Sequence, residues 1–282
     1  MTDETVQGAG AKAVIYRDAP GWDGRRTAAV GKFRCDDAAA GADLLMGVVE
    51  TLRREGFDAV IGPMDGDTWH SYRLVTETDG SAPFLMEPTS GKADLAAFQA
   101  AGFEVIEHYF SAHAPLKTAL GHPPDPDPAI EIVPWDGNDP EAHFSAVYDL
   151  SVEAFAGNAF YTPISREAFL AMYMPFVPLL KRELILLARG RENGALLGFL
   201  FGISNYAQGG APDTVILKTY ASRRAGVGHR LAHAFHAAAL DMGFETVIHA
   251  LIHDANLSAE RSAQHGATVF RRYGLMGRVL SG

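Results

Sequence analysis

The 282-residue sequence has one cysteine, Cys35, no long apolar run and few basic residues for its length, and each scarcity removes a class of protein. A single cysteine excludes an intrachain disulfide and any zinc site built on several thiolates, a pattern that fits a reducing compartment. Cys35 itself reads as a small buried apolar residue. No stretch approaches the roughly 18 unbroken apolar residues of a membrane span, and the opening MTDETVQGAG is acidic where a secretory leader would be basic. The chain is therefore expected to be cytoplasmic. Lys plus Arg number 24 against 34 Asp plus Glu, a formal charge of −10. That balance opposes nucleic acid or an anionic membrane as the main partner, because each needs a net basic face. What is present is a 48% hydrophobic and 21% charged composition, that of a globular chain long enough for about two domains.

The clearest break is 114–129, APLKTALGHPPDPDPA, where five prolines sit beside two aspartates. Proline fixes φ and withholds a donor, so the run reads as an extended connector. The expected division is 1–115, a Pro-rich linker over 116–128, and 129–282. Downstream, AIEIVPW (129–135) reads as a strand, and Asp139-Pro140 offers an N-cap with proline in the first turn. Helical spacing through Phe144, Val147, Leu150 and Phe155 follows, then a second helix over 166–180 disturbed by Pro175 and Pro178. Strands are expected at 183–188, 195–203 and 214–220, a helix over 227–242 closed by Gly243, and a strand over 244–253. The class is α/β.

The upstream half repeats part of this order. Placing Gly41 on Gly228 sets an offset of 187 residues, which also puts Thr27 on Thr214, Leu44 on Leu231, Gly56-Phe57 on Gly243-Phe244, and Val60-Ile61 on Val247-Ile248. A matched strand-turn-helix-Gly-Phe-strand order reads as an internal repeat.

The turn after the third downstream strand runs Arg223-Arg224-Ala225-Gly226-Val227-Gly228-His229-Arg230-Leu231. A strand feeding through two glycines into a helix exposes unpaired N–H groups at the positive end of the helix dipole, and glycine lets a phosphate approach the main chain. Arg223, Arg224 and Arg230 add charge. A P-loop and a dinucleotide fingerprint both fail on residues, the second because Leu231 stands where glycine is needed. The remaining pattern, Arg223-x-x-Gly226-x-Gly228, resembles the pyrophosphate loop of the GNAT superfamily of N-acetyltransferases. Asn256, Gly266 and the closing FRRYGLM (270–276) are similar to further features of that family, and GPMDGDTWHSYR (62–73) with the repeat resembles a tandem subgroup.

The resemblance implies two GNAT-like halves: a truncated, degenerate first one and a complete second one, with a mixed sheet splayed at its middle. It also implies acetyl-CoA or another acyl-CoA as cofactor and direct attack on the thioester by a small-molecule or peptide amine. Tyr220, Ala221, Ser222, Arg223, Arg224, Ala225, Gly226, Val227, Gly228, His229, Arg230 and Asn256 would then contact the cofactor. Phe155, Asn158, Phe160 and Tyr161 would shape the acceptor pocket. Many members place a tyrosine four residues before the helix-ending glycine to protonate the thiolate; here Ser262 stands there, which opens a second reading as a CoA-binding sensor or scaffold without turnover. Asn256 and His253 join Ser262 as catalytic candidates, with His249 and His253 read as either pocket or core residues.

In the first half the offset puts Asp36 and Asp37 where Arg223 and Arg224 stand, Ala39 on Gly226 and Trp69 on Asn256. Two carboxylates would repel a pyrophosphate, so that half is expected to bind no CoA. Trp69, Tyr72 and Arg73 read either as lining an acceptor cleft between the halves or as sealing the contact, with Arg73 paired to an acid such as Glu87. His229, His233 and His236 share a helical face without a carboxylate or cysteine, so no metal is expected. Lys181-Arg182 and Arg271-Arg272 read as solvated charges. A homodimer stays open.

Overall fold

The computed structural model describes residues 3–280, apart from the side chains of residues 257 and 261. The first half opens with β1 (Glu4–Gly8), β2 (Ala11–Tyr16) and β3 (Thr27–Cys35), followed by α1 (Ala38–Arg54) and β4 (Ala59–Gly62). It continues through β5 (Leu74–Thr78), α2 (Asp94–Ala100) and β6 (Glu104–Pro115). After α3 (Leu116–Leu120) come β7 (Ile130–Pro134), α4 (Pro140–Phe155), α5 (Arg166–Tyr173), β8 (Ile185–Gly190) and β9 (Leu196–Ser204). The chain closes with β10 (Thr214–Ser222), α6 (Val227–Asp241), β11 (Thr246–His253), α7 (Leu257–Gln264) and β12 (Thr268–Val279).

The strands join in one sheet of order β1-β2-β3-β4-β12-β6-β11-β10-β9-β8-β7, with β5 also on β12. Two parallel pairs bracket the crossover helices. Thr27 of β3 pairs with Ala59 of β4 across α1, and Thr214 of β10 with Thr246 of β11 across α6, so the two registers differ by the same 187 residues. Between these pairs the strands cross over. The strand closing the upstream stretch, β6, lies against β11 of the downstream one, while the last strand, β12, pairs with β4 of the upstream one as well as with β6.

Each crossover helix buries one stripe. In α1 it is Ala42, Leu45, Val48, Val49 and Leu52; in α6 it is Val227, Leu231, Ala232, Phe235 and Ala239, the 3.6-residue spacing of a helix packed on a sheet. Close contact explains Gly202 on β9: an added Cβ would stand 2.1 Å from the Phe235 ring. On the opposite face of the downstream sheet, α4 and α5 cover Phe199, Phe201, Ile216 and Ile248 with Phe144, Val147, Leu150 and Phe169.

Two expectations are corrected. The extended connector begins instead with helix α3, whose Leu116 and Ala119 are fully buried against α6; LKTAL carries apolar residues at helical spacing that the neighbouring prolines mask. The second downstream helix ends at Tyr173 and continues as a 3-10 turn over Met174–Leu179, because Pro175 and Pro178 remove the donors an α-helix needs. No helix of the described residues is long and apolar enough to cross a membrane.

Candidate functional site

β10 and β11 pair in parallel from Thr214 and Thr246 only as far as Leu217 and His249. Beyond that point β10 stays with β9, its Thr219, Tyr220, Ala221 and Ser222 facing Phe201, Leu200, Phe199 and Gly198, while β11 stays with β6 through Ile252 and His253. A bulge at Lys218 on one strand and the positive φ of Leu251 (58°) on the other mark the divergence. A cavity of about 1170 Å³ fills the gap and reaches both faces of the sheet. On one face it touches His229, Ala232 and His236 of α6 with Asn256, Ser258, Ser262 and His265; on the other, Phe155, Asn158, Tyr161 and Phe169.

The turn entering α6 is built for an anion. Gly226 is the N-cap at φ 82° with no side-chain cap, and nothing lies within 4 Å of where its Cβ would be. Of the first-turn N–H groups that follow, that of Val227 donates to the Arg224 carbonyl at 3.3 Å, while those of Gly228 and His229 have no carbonyl available within the helix. The residues present therefore fit a phosphate or another anion. The three arginines do not crowd the turn. Arg223 pairs with Glu153 at 2.7 Å, Arg224 with Asp127 at 2.9 Å, and Arg230 donates to the Asp125 carbonyl. These are exposed contacts of small energetic weight.

Tyr220, Ser222, His229 and Asn256 line the cavity, whereas Ala221 turns into the core beside Phe199 and Ile216. Tyr220 shares a hydrogen bond with Ser258 at 3.0 Å, and the Asn256 side chain accepts from the Ser258 amide at 3.1 Å, fixing the start of α7. Phe155, Asn158, Tyr161, Trp69 and Tyr72 all reach the cavity, but Phe160 is not among its lining residues and packs against the upstream cluster that includes Ile61, Met64 and Tyr273. Trp69 also seals the contact between the stretches: its indole donates to the Thr162 carbonyl at 2.9 Å, with Phe155, Tyr161 and Phe169 around it.

Ser262 is buried, and its hydroxyl lies 2.9 Å from His249 Nδ1. His249 Nε2 is in turn 3.2 Å from His236 Nε2. Burial, with neighbouring imidazoles, pushes His249 down to about 4 and His236 down to about 2, so both are neutral near pH 7. His253 is held differently. Its Nδ1 accepts from the Ala255 amide at 3.1 Å, which leaves the proton on Nε2, 2.6 Å from Glu107 of β6. His233 bonds the Leu120 carbonyl, and among the described residues no group of three or more His, Cys, Asp or Glu side chains is arranged to hold a metal ion.

Two expectations about charge are overturned. Arg271 is not solvated: it is 4% exposed and grips Glu87 through Nη1 at 2.6 and 2.8 Å, with Tyr273 donating to the same carboxylate. Glu87 is thereby taken, so Arg73 does not pair with it. Arg73 is 6% exposed, stacks on Tyr72 and Tyr109 at 3.9 and 4.0 Å, and donates from Nη1 to the Leu251 carbonyl at 3.3 Å. Its Nε has no partner among the described residues. Lys218, which sequence reasoning passed over, lines the same cavity and has no hydrogen-bond or acidic partner among the described residues. Desolvation first, then the charge of Arg73, lowers it to about 8. A lone lysine inside the apolar strand TVILKTY was the available signal.

No protein-family model matches the sequence, and no curated protein matches it either. Solved structures do. A GCN5-related N-acetyltransferase from Sphaerobacter thermophilus superposes with a TM-score of 0.58 at 16% identity, covering 97% of this chain and 78% of that one. A tandem GNAT protein from the clavulanic acid biosynthesis pathway gives 0.56 at 16% identity over 97% and 80%. A probable N-acyltransferase from Enterococcus faecalis gives 0.55 at 9% identity over 96% and 59%. At such identities the likeness is one of fold, and the chain has the GNAT fold.

Proposed function

We propose that this chain, with its GNAT fold, is an acyl-CoA-dependent N-acyltransferase acting on a small-molecule or peptide amine. The observation that carries the proposal is the continuous cavity from the first turn of α6, through the gap between β10 and β11, to the α4 and α5 side. In this reading the amides of the Gly226 turn hold the pyrophosphate and the free edge of β10 over 219–222 aligns the pantetheine arm. When bound, acyl-CoA supplies an activated thioester carbonyl. The acceptor enters from the side of Phe155, Asn158 and Tyr161.

His253 takes the ammonium proton at Nδ1, the atom that otherwise accepts from Ala255, and Glu107 stabilises the imidazolium through Nε2. Ser262 offers its hydroxyl to the departing thiolate, with His249 and His236 behind it as a neutral hydrogen-bonded pair. The same reading takes the chain as a duplicated unit over 1–115 and 129–282, the first copy truncated and without a CoA site. The shared 187-residue displacement of the two parallel registers, and the reciprocal placement of β6 and β12, support it.

Acetyl-CoA consumption, read as thiol release across amines, amino acids and aminoglycosides, tests the activity. At least one acceptor should accelerate release well above hydrolysis. Tight CoA binding with no acceptor able to accelerate it would favour the sensor reading.

A further inference from the structure

Arg73 and Lys218 remain unexplained by the acyl-transfer machinery. A buried guanidinium is ordinarily paired, as Arg271 is with Glu87, because an isolated charge taken out of water is costly. Arg73 has neither a carboxylate nor any partner for Nε among the described residues, yet it is more than nine-tenths buried and faces the cavity. Its faces are engaged by tyrosine rings, Nη1 by the Leu251 carbonyl, and Nε is enclosed without a partner, so Nη2 is the nitrogen left to meet an incoming carboxylate. Lys218 sits across the gap on β10, while the Arg73 guanidinium is tied to the Leu251 carbonyl of β11. The nearby acids are already used: Glu87 by Arg271 and Tyr273, Glu107 by His253.

We infer that Arg73 and Lys218 form a carboxylate subsite inside the cavity, so that one reactant of the acyl transfer carries a carboxylate. This rests on the acyltransferase reading and narrows it. The carboxylate belongs either to the acceptor, an amino acid, or to the acyl chain of a dicarboxylic acyl-CoA. In both cases the anion would supply the partner that each cation lacks.

Calorimetry on the full chain separates the sources. N-acetylglycine is titrated against its neutral amide, with and without CoA, and succinyl-CoA against acetyl-CoA. The inference expects one carboxylate ligand to bind at least about tenfold more tightly than its neutral counterpart, and the preference to fall to about twofold or less in Lys218→Met. Arg73→Gln should do the same, but Arg73 also packs on two tyrosines, so Lys218→Met, which breaks no hydrogen bond or ion pair, carries the test. The affinity for CoA itself should not change in either variant. A preference in the first pair assigns the carboxylate to the acceptor, and in the second to the acyl chain. No preference in either pair, or one that survives both substitutions, overturns the subsite. Failure of the wild-type chain to bind CoA would instead strike the acyltransferase reading, while the CoA-free N-acetylglycine titration still reports on the subsite.

Discussion

The two crossover helices follow corresponding strands, α1 opening two residues earlier than α6 on the 187-residue offset, and end up with opposite chemistry. At α1, Asp37 accepts the Ala40 amide at 2.9 Å, so a carboxylate of the chain itself occupies the positive end of the helix. At α6 the cap is Gly226, which has no side chain to offer and open space beside it, and the acids that pair with the neighbouring arginines are Asp127 and Glu153 rather than residues of the turn. In the proposed reading the anion site is an unfilled helix cap, and at α1 the chain fills that cap with Asp37.

The largest effect on this contrast is expected from Gly226→Asp. It places a carboxylate and a side chain at φ 82°, and CoA affinity should fall at least about 100-fold, roughly 2.7 kcal/mol. Next comes acid. His249, lowered to about 4 in the folded chain against an ordinary 6.5, takes up its proton in the unfolded chain first. Stability is therefore complete above about pH 6.5 and is lost as the pH falls toward 4, by about 2 kcal/mol at pH 5 from this one group. The 187-residue offset puts Gly62 opposite His249, so the first half adds no equivalent loss; denaturant midpoints at pH 7 and pH 5 measure the effect. The smallest effect is that of Asp37→Ala, which should cost about 1 kcal/mol in a melting experiment and leave CoA affinity unchanged. A gain of a second CoA site in that variant would show that the aspartate alone closes α1.

Much of the fold was legible because its signals are local. The helix over 227–242, Gly243 as a stop and a strand over 244–253, which the structure starts at Thr246, follow from short-range periodicity and turn chemistry, and the repeat gave the same strand-turn-helix-strand order in both halves. The exchange of β6 and β12 was not legible, because the edge against which a strand pairs is decided by long-range packing that no local pattern encodes. At the site, the Gly226 turn was readable as a motif. Pairing among charges was not: Arg271 and Arg272 are adjacent in sequence, yet one is buried on Glu87 and the other is near-surface beside Glu77 and Asp254. Arg73 and Lys218 lie far apart in the chain and line one cavity only because the loop after β4 and the bulge in β10 border the same gap.

The central claim is that the chain has one CoA site, at the start of α6. Calorimetric titration of CoA into the wild-type chain and into Gly226→Asp tests it most directly: one site per chain in the first and no measurable binding in the second is the expected result. Two sites in the wild type, or an unchanged affinity in Gly226→Asp, would contradict it.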